Sequence, residues 1–463
     1  MKSKIFFLFL IAAFLITAGP ICKGTPKEVQ EAMKPVNLVY WRVFDDEDAF
    51  TDAINAYKTL HPNVSITYRK LRYEEYESEL LNAMAENRGP DIFSVQNTWI
   101  KKYQTKITPL PKTITLPYQY MKGTIKKELI TEMQTTPSIS LRALKTDYTD
   151  QAAADVILPY QEDPTKPTED RIFGLPLSLD TLALFYNRDL LNASGIPEPP
   201  QTWTEFQEQV KRLAKVDKTG KILQAGAAIG TGKNIERASD ILSLLMMQNG
   251  TRMTDEAGNA TFNSIPPGAT LPAPPGQEAL AFYTDFASPY KEVYTWNKEM
   301  PASLEAFITG QTAFFFGYAY HIPQIKAQAP KLNFAVAKMP QIAGGTELNF
   351  ANYWTEVVSK KTEHLNEAWD FIQFLAKAEN VKNYLNKTKK PTALRSLIKD
   401  QSEDIDLAVF VSQILTAKSW YHGKDPLVME QIFSDMIEQV VDGLATLEEA
   451  INLAVAKVNQ TIR

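Results

Sequence analysis

Apolar positions at the start of the chain switch repeatedly between a strand-like and a helical repeat. Residues 36–41 (VNLVYW) form a strand-like run, after which Phe50, Ala53, Ile54, Tyr57 and Leu60 recur at helical spacing behind an acidic start at 45–48. His61-Pro62-Asn63 stops that helix, and residues 64–68 predict the next strand. Tyr73, Tyr76, Leu80, Leu81 and Met84 predict a second helix, closed by Gly89-Pro90, and residues 91–95 (DIFSV) a third strand. Strand, helix, strand, helix, strand with short connections predicts parallel pairing through right-handed crossovers. With the first strand central, in order 2-1-3, a ligand crevice lies at the carboxyl ends of strands one and three. The loops there make Trp41, Asp45, Asn97 and Trp99 candidate ligand contacts, with Asp46 beside them. Each has a structural alternative: a strand-end tryptophan can be core, an acid can serve the helix dipole, and an asparagine can serve a turn.

Residues 100–150 have no clean period. They carry several prolines and helix-like pieces around 121–133, and are read as peripheral elements leading to a crossing segment near 155–160. The stretch 174–206 holds a strand, a polar turn at Asp180, a second apolar run, a helix and a proline-punctuated loop; a second lobe is expected to open at Ile172. Thr202 and Glu205 form a capping box ahead of a helix reaching Lys215. A strand at 225–229, a buried helix at 237–249, a proline-rich loop at 264–276 and helices at 277–287 and 303–309 follow. The strand at 313–316 delivers Gly317, Tyr318 and Tyr320, with its three phenylalanines as core; Tyr318 is the preferred ligand contact and Tyr320 the second. A strand at 356–359 and a helix at 366–376 precede a mainly helical region from 404, whose last helix is capped by Thr446 and Glu449.

Composition narrows the function. A chain of 463 residues, 44% hydrophobic and 22% charged, predicts two domains. A net charge of −5 without a basic cluster argues against nucleic acid, which requires a positive surface. Lys2 and Lys4 precede an apolar run at 5–18, so residues 1–22 read as a secretory signal, too short for a membrane span. Cleavage after Ile16-Thr17-Ala18, lipidation at Cys22, the single cysteine, and an uncleaved anchor are all open; Gly19-Pro20-Ile21 departs from a lipobox. Residues 226–234 (GAAIGTGKN) suggest a phosphate loop, but Ala227 and Asn234 break the P-loop pattern and Ile235 breaks GxGxxG. His61, His321, His364 and His422 are scattered, so no metal or cofactor is predicted. A carboxylate pair for glycoside hydrolysis is defined by spatial separation, which leaves a secreted polysaccharide-acting enzyme as an open reading.

Four blocks carry a resemblance: GPDIF at 89–93, GLPLSLDTLALFYNRDLLNASGI followed by PPQTW, SLEAFITGQTAFFFGYAY, and FANYWTEVVSKKTEHLNEAWDFIQFLA. In this order and spacing the chain resembles the family 1 extracellular solute-binding proteins, from about Val36 to the C-terminus. The resemblance implies an α/β, two-lobed periplasmic-binding-protein fold of type II, with several hinge crossings. Lobe one would comprise 35–150 plus 352–395, and lobe two 151–351 plus 396–463. It implies binding rather than catalysis: a monomeric receptor, secreted and periplasmic or cell-surface, that hands a sugar to the permease of an ABC importer. It also implies an acidic sugar contact at Asp180, a contact or hinge role for Trp354, and a late aromatic segment at Trp420 and Tyr421. A polyamine, phosphorylated or peptide solute is the alternative within the same fold.

Overall fold

The computed structural model describes residues 26–124 and 127–462. The expected signal segment and Cys22 lie outside the described residues.

The first sheet is built as the periodicity predicts. Val36–Val43 pairs in parallel with Val64–Leu71 along eight positions and with Ile92–Gln96 at Tyr40 and Trp41, giving order 2-1-3. Ile92–Gln96 is buried at every position, the pattern of a strand covered on both faces. The helices Asp48–Leu60 and Tyr73–Ala85 bury Phe50, Ala53 and Tyr57, and Tyr76, Leu80 and Met84. A late strand, Trp354–Ser359, completes the sheet antiparallel to Ile92–Gln96, and pairs on its other side with Ile107–Thr108 and Leu175–Pro176.

The second sheet sets Ile222–Ala227 parallel to Thr312–Gly317, then Ala183–Asn187 and the edge strand Phe334–Ala337, both antiparallel. The helix Trp203–Leu213 begins in the expected capping box, with Thr202 Oγ1 accepting from Glu205 N and Glu205 reaching back to Thr202 N. Thr446 and Glu449 do the same for Leu447–Ile462. Ala238–Gln248 is buried almost all round.

Between the sheets runs a third, small one: Asp180–Thr181 beside Asn349–Asn352 beside Ala417–Lys418. The chain passes through it three times, and two hydrophobic cores lie on either side.

Three expectations are corrected. Residues 121–133 are not helical: Thr113–Lys122 and Glu128–Pro137 form an antiparallel hairpin paired over ten positions. Its Thr115–Thr135 and Gln119–Thr131 cross-strand bonds satisfy the polar side chains that hide the alternation. Residues 157–160 do not cross between lobes; Ile157–Tyr160 turns back on Glu169–Ile172. The second lobe does not open at Ile172, because Leu175–Pro176 still belongs to the first sheet; the crossing is at Asp180–Thr181 and the second sheet starts at Ala183. Among the described residues, no helix is long and apolar enough to cross a membrane.

Candidate functional site

A cavity of ≈ 460 Å³ opens where the first two crossings, at Asp180 and Asn352, meet the two lobes. Phe44, Tyr73, Gln96, Trp354 and Lys390 line one side, Glu236, Arg237 and Tyr320 the other, and Ser178, Asp180, Asn352 and Tyr353 come from the crossing segments. Its size and its largely aromatic wall are those of a small-molecule site. A hollow of ≈ 540 Å³ on the outer edge, beside Phe334–Ala337, has no comparable wall; its charges Lys326 and Asp406 pair with each other.

Phe44 is the most exposed aromatic of the wall, 54% accessible, and sits at φ +66°. A bulky side chain in the left-handed region is strained, and such strain gathers at functional sites. Its ring stacks on Tyr73 at 5.7 Å and meets Trp354 edge-on at 5.9 Å. Across the cavity Tyr320, 41% exposed, stacks on buried Tyr318 at 5.8 Å.

The charges are already partnered. Behind the first wall, Lys390 Nζ lies 2.6 and 2.8 Å from the two Asp45 oxygens, and Arg42 reaches Asp45 at 3.2 Å and Glu356 at 3.3 Å. The Tyr40 hydroxyl donates to Glu356 and that of Tyr384 to Asp45. Burial opposes ionisation of Asp45, yet Lys390 and Arg42 outweigh it and hold the carboxyl below its usual range. Burial pulls the Lys390 amine below its ordinary value in spite of Asp45. On the second lobe Arg237 is forked onto Asp240 at 2.8 and 3.0 Å and onto Glu430 at 3.1 and 3.3 Å. Burial raises Glu430 against the pull of Arg237. Glu236 lies 3.3 Å from the ring of fully buried His321. Asp180 accepts from the backbone N–H groups of Ala319 and Thr181, but burial dominates and pushes its carboxyl up to about 7.

Of the sequence candidates, Asp180, Tyr320 and Trp354 line this cavity. Asn97, Trp420 and Tyr421 border a narrower hollow beside it. Trp420 and Tyr421 are otherwise core, tied to Ser243 and to Thr461. Four residues lie elsewhere. Trp41 is capped by the Arg69 guanidinium at 4.7 Å, and Trp99 is packed between Tyr103 and Trp354. Asp45 is consumed by Lys390 and Arg42. Tyr318, preferred over Tyr320, is fully buried with its hydroxyl on Asp240 at 2.6 Å, whereas Tyr320 reaches the cavity. The phosphate-loop-like segment does cradle an anion, but the chain's own: Gly232 N and Lys233 N donate to Glu438 Oε1. Phe44, Tyr73, Arg237 and Lys390 were missed. An aromatic directly after strand one was the available signal for Phe44; Lys390 had none.

Two lobes joined by three crossings around an aromatic cavity define a solute-binding receptor of the two-lobed type. Residues 132–382 match the family model described as bacterial extracellular solute-binding protein, and the chain belongs to that family. Its location is therefore periplasmic or at the cell surface, and its family and fold are those of receptors rather than enzymes. A binding protein of Brucella abortus is 25% identical over 213 residues, 45% of this chain and 47% of that one. The chain thus aligns with about half the length of the first curated relatives it matches. A galactooligosaccharide-binding protein of Bacillus subtilis is 20% identical over 403 residues, 86% of this chain and 83% of that one. The same fold occurs in the cyclic alpha-maltosyl-1,6-maltose binding protein of Arthrobacter globiformis, with TM-score 0.70, 18% identity, and 92% and 99% of the two chains covered. A cyclo/maltodextrin-binding protein complexed with maltotetraose gives TM-score 0.69 at 16% identity, with 93% and 98% covered.

Proposed function

We propose that this chain captures a neutral saccharide between its lobes and delivers it to the permease of an ABC importer, without catalysing a reaction. The observation that carries the reading is the pair of facing aromatic surfaces, Phe44 with Trp354 on one lobe and Tyr320 on the other, across a cavity whose cations are already neutralised. A pyranose presents an apolar C–H face to such rings and hydroxyls to Asp180, Glu236, Gln96 and Asn352 at the rim. One aromatic side chain buries 150–250 Å²; half of that against ligand is worth about 2–3 kcal/mol at ~25 cal/mol/Å². Two platforms with hydrogen bonds support affinity on the order of micromolar after association costs.

The charge arrangement speaks against the other solutes. A phosphorylated ligand needs free cations, whereas Lys390 and Arg237 are bound to carboxylates. A polyamine needs several free carboxylates, whereas the lining residues offer two, Asp180 and Glu236, and burial favours the neutral form of Asp180. The names of the Bacillus relative and of a multiple sugar-binding protein of Streptococcus mutans, 22% identical over 237 residues, support a sugar. We further propose a monomer whose two lobes divide at the three crossings, 180–181, 349–352 and 417–418, rather than at 150/151 and 395/396, secreted through residues 1–22 and anchored through Cys22. The ligand set is proposed as Phe44, Tyr73, Asp180, Tyr320 and Trp354. The test is a thermal-shift panel of neutral oligosaccharides, sugar phosphates and polyamines, with turnover assayed in parallel. A neutral saccharide alone is expected to stabilise the protein, unchanged after incubation; a shift with a sugar phosphate or polyamine only, or hydrolysis of the saccharide, would sink the assignment.

A further inference from the structure

Beside the main cavity and sharing Gln96, Arg237 and Asn352 with it lies a second, much smaller hollow of ≈ 10 Å³. That volume holds one water-sized group and no ring. Its first-lobe wall carries three polar atoms without a hydrogen-bond partner among the described residues: Gln96 Oε1, Asn97 Oδ1 and Thr98 Oγ1. Gln96 and Asn97 are 5% and 2% exposed. Both amides are pinned through their nitrogens: Gln96 Nε2 donates to Asn352 Oδ1 at 2.9 Å, and Asn97 Nδ2 to Asp155 Oδ2 at 3.2 Å. That fixes the orientation of each amide and leaves its oxygen unpartnered, and an amide oxygen can only accept. Leaving such buried acceptors empty is costly, so the arrangement asks for a donor.

We propose that this hollow is a donor-reading subsite: it receives a single hydroxyl or primary amino group projecting from the ligand in the main cavity, and thereby selects ligands that carry such a group at that position. The proposal rests on the solute-binding reading of the main cavity but asks only for a donor, not for a sugar. Thr98 contributes a hydroxyl that accepts or donates, which lets one ligand group bond to it and to an amide oxygen together. Arg237 and Ser239 line the hollow from the second lobe, so both lobes contribute to the subsite.

The test compares wild type with Thr98→Val, which removes the hydroxyl at equal shape, and Thr98→Ser, which restores it. Binding of maltotriose, raffinose, lactose and 1,4-diaminobutane is measured by calorimetry. For whichever probe binds wild type, Thr98→Val is expected to weaken affinity about three- to tenfold, Thr98→Ser to retain it, and the melting temperature of the ligand-free protein to stay close to wild type. Equal affinity in Thr98→Val and wild type overturns the subsite. A diamine that binds where no saccharide does, weakened by Thr98→Val, defeats the saccharide reading and leaves the subsite standing. Binding by none of the four probes overturns both.

Discussion

At the scale of single residues, Phe44 and Asp180 stand on the cavity wall in a strained backbone region and a desolvated setting respectively. Phe44 holds a positive φ that costs an L side chain roughly 1–2 kcal/mol. Phe44→Gly relieves this while deleting the platform, so ligand-free stability should hold or rise slightly while saccharide affinity falls about tenfold or more. Thermal melts and titration calorimetry on the same sample check both halves. Asp180 is raised to about 7 by burial, so the folded chain keeps a proton that the unfolded chain has released. Its contribution to stability is full below pH 4 and is lost as pH rises through about 7. The upper bound is roughly 4 kcal/mol. Asp180→Asn cannot ionise, so its melting temperature relative to wild type should climb between pH 5 and pH 8; a constant difference would contradict the shifted carboxyl. The places of Asp180 and Tyr320 on the cavity wall were legible as a polar break in an apolar run and an aromatic just past a strand, whereas Trp354 was named through the family resemblance. Phe44's backbone angle is not visible in the letters. Nor is the burial of Trp41 and Trp99, which depends on Arg69 and Tyr103 arriving from other elements.

At the scale of elements, packing explains what motif reading could not. In the segment that imitates a phosphate loop, each glycine has a neighbour where a side chain would go. A Cβ on Gly226 would lie 2.6 Å from the Val210 carbonyl oxygen, so the strand Ile222–Ala227 approaches the helix Trp203–Leu213 too closely for alanine. Gly226→Ala should destabilise by about 1–3 kcal/mol through overpacking, read as a lower melting temperature with an unchanged far-UV spectrum. The helices of the first lobe were readable because their apolar stripes recur every three or four positions and meet clear stops, as at His61. The hairpin of Thr113–Lys122 with Glu128–Pro137 was not, because Pro117 and a run of Thr, Gln and Glu interrupt the alternation, and its strands satisfy one another rather than a sheet. Crossings of two to four residues are too short to carry any period at all.

At the scale of the whole molecule, three short crossings connect two cores with an aromatic surface facing each way. Lobe closure around a ligand that touches both is the expected motion for such a hinge. A saturating saccharide should therefore lower the radius of gyration in solution scattering. At a hundredfold excess over Kd it should add about 2.7 kcal/mol to stability; a bound ligand that leaves the scattering curve unchanged would argue against closure. The placement of Trp354–Ser359 between Ile92–Gln96 and Ile107–Thr108 also governs when the molecule can exist at all. A ribosome that has made residues 36–350 has produced a first sheet missing its inner strand: Ile92–Gln96 has one neighbour instead of two, and Ile107–Thr108 and Leu175–Pro176 have none. Completion of the first sheet must wait until most of the polypeptide has been synthesised. For a chain exported as an extended thread, that delay keeps it threadable until the last quarter is made.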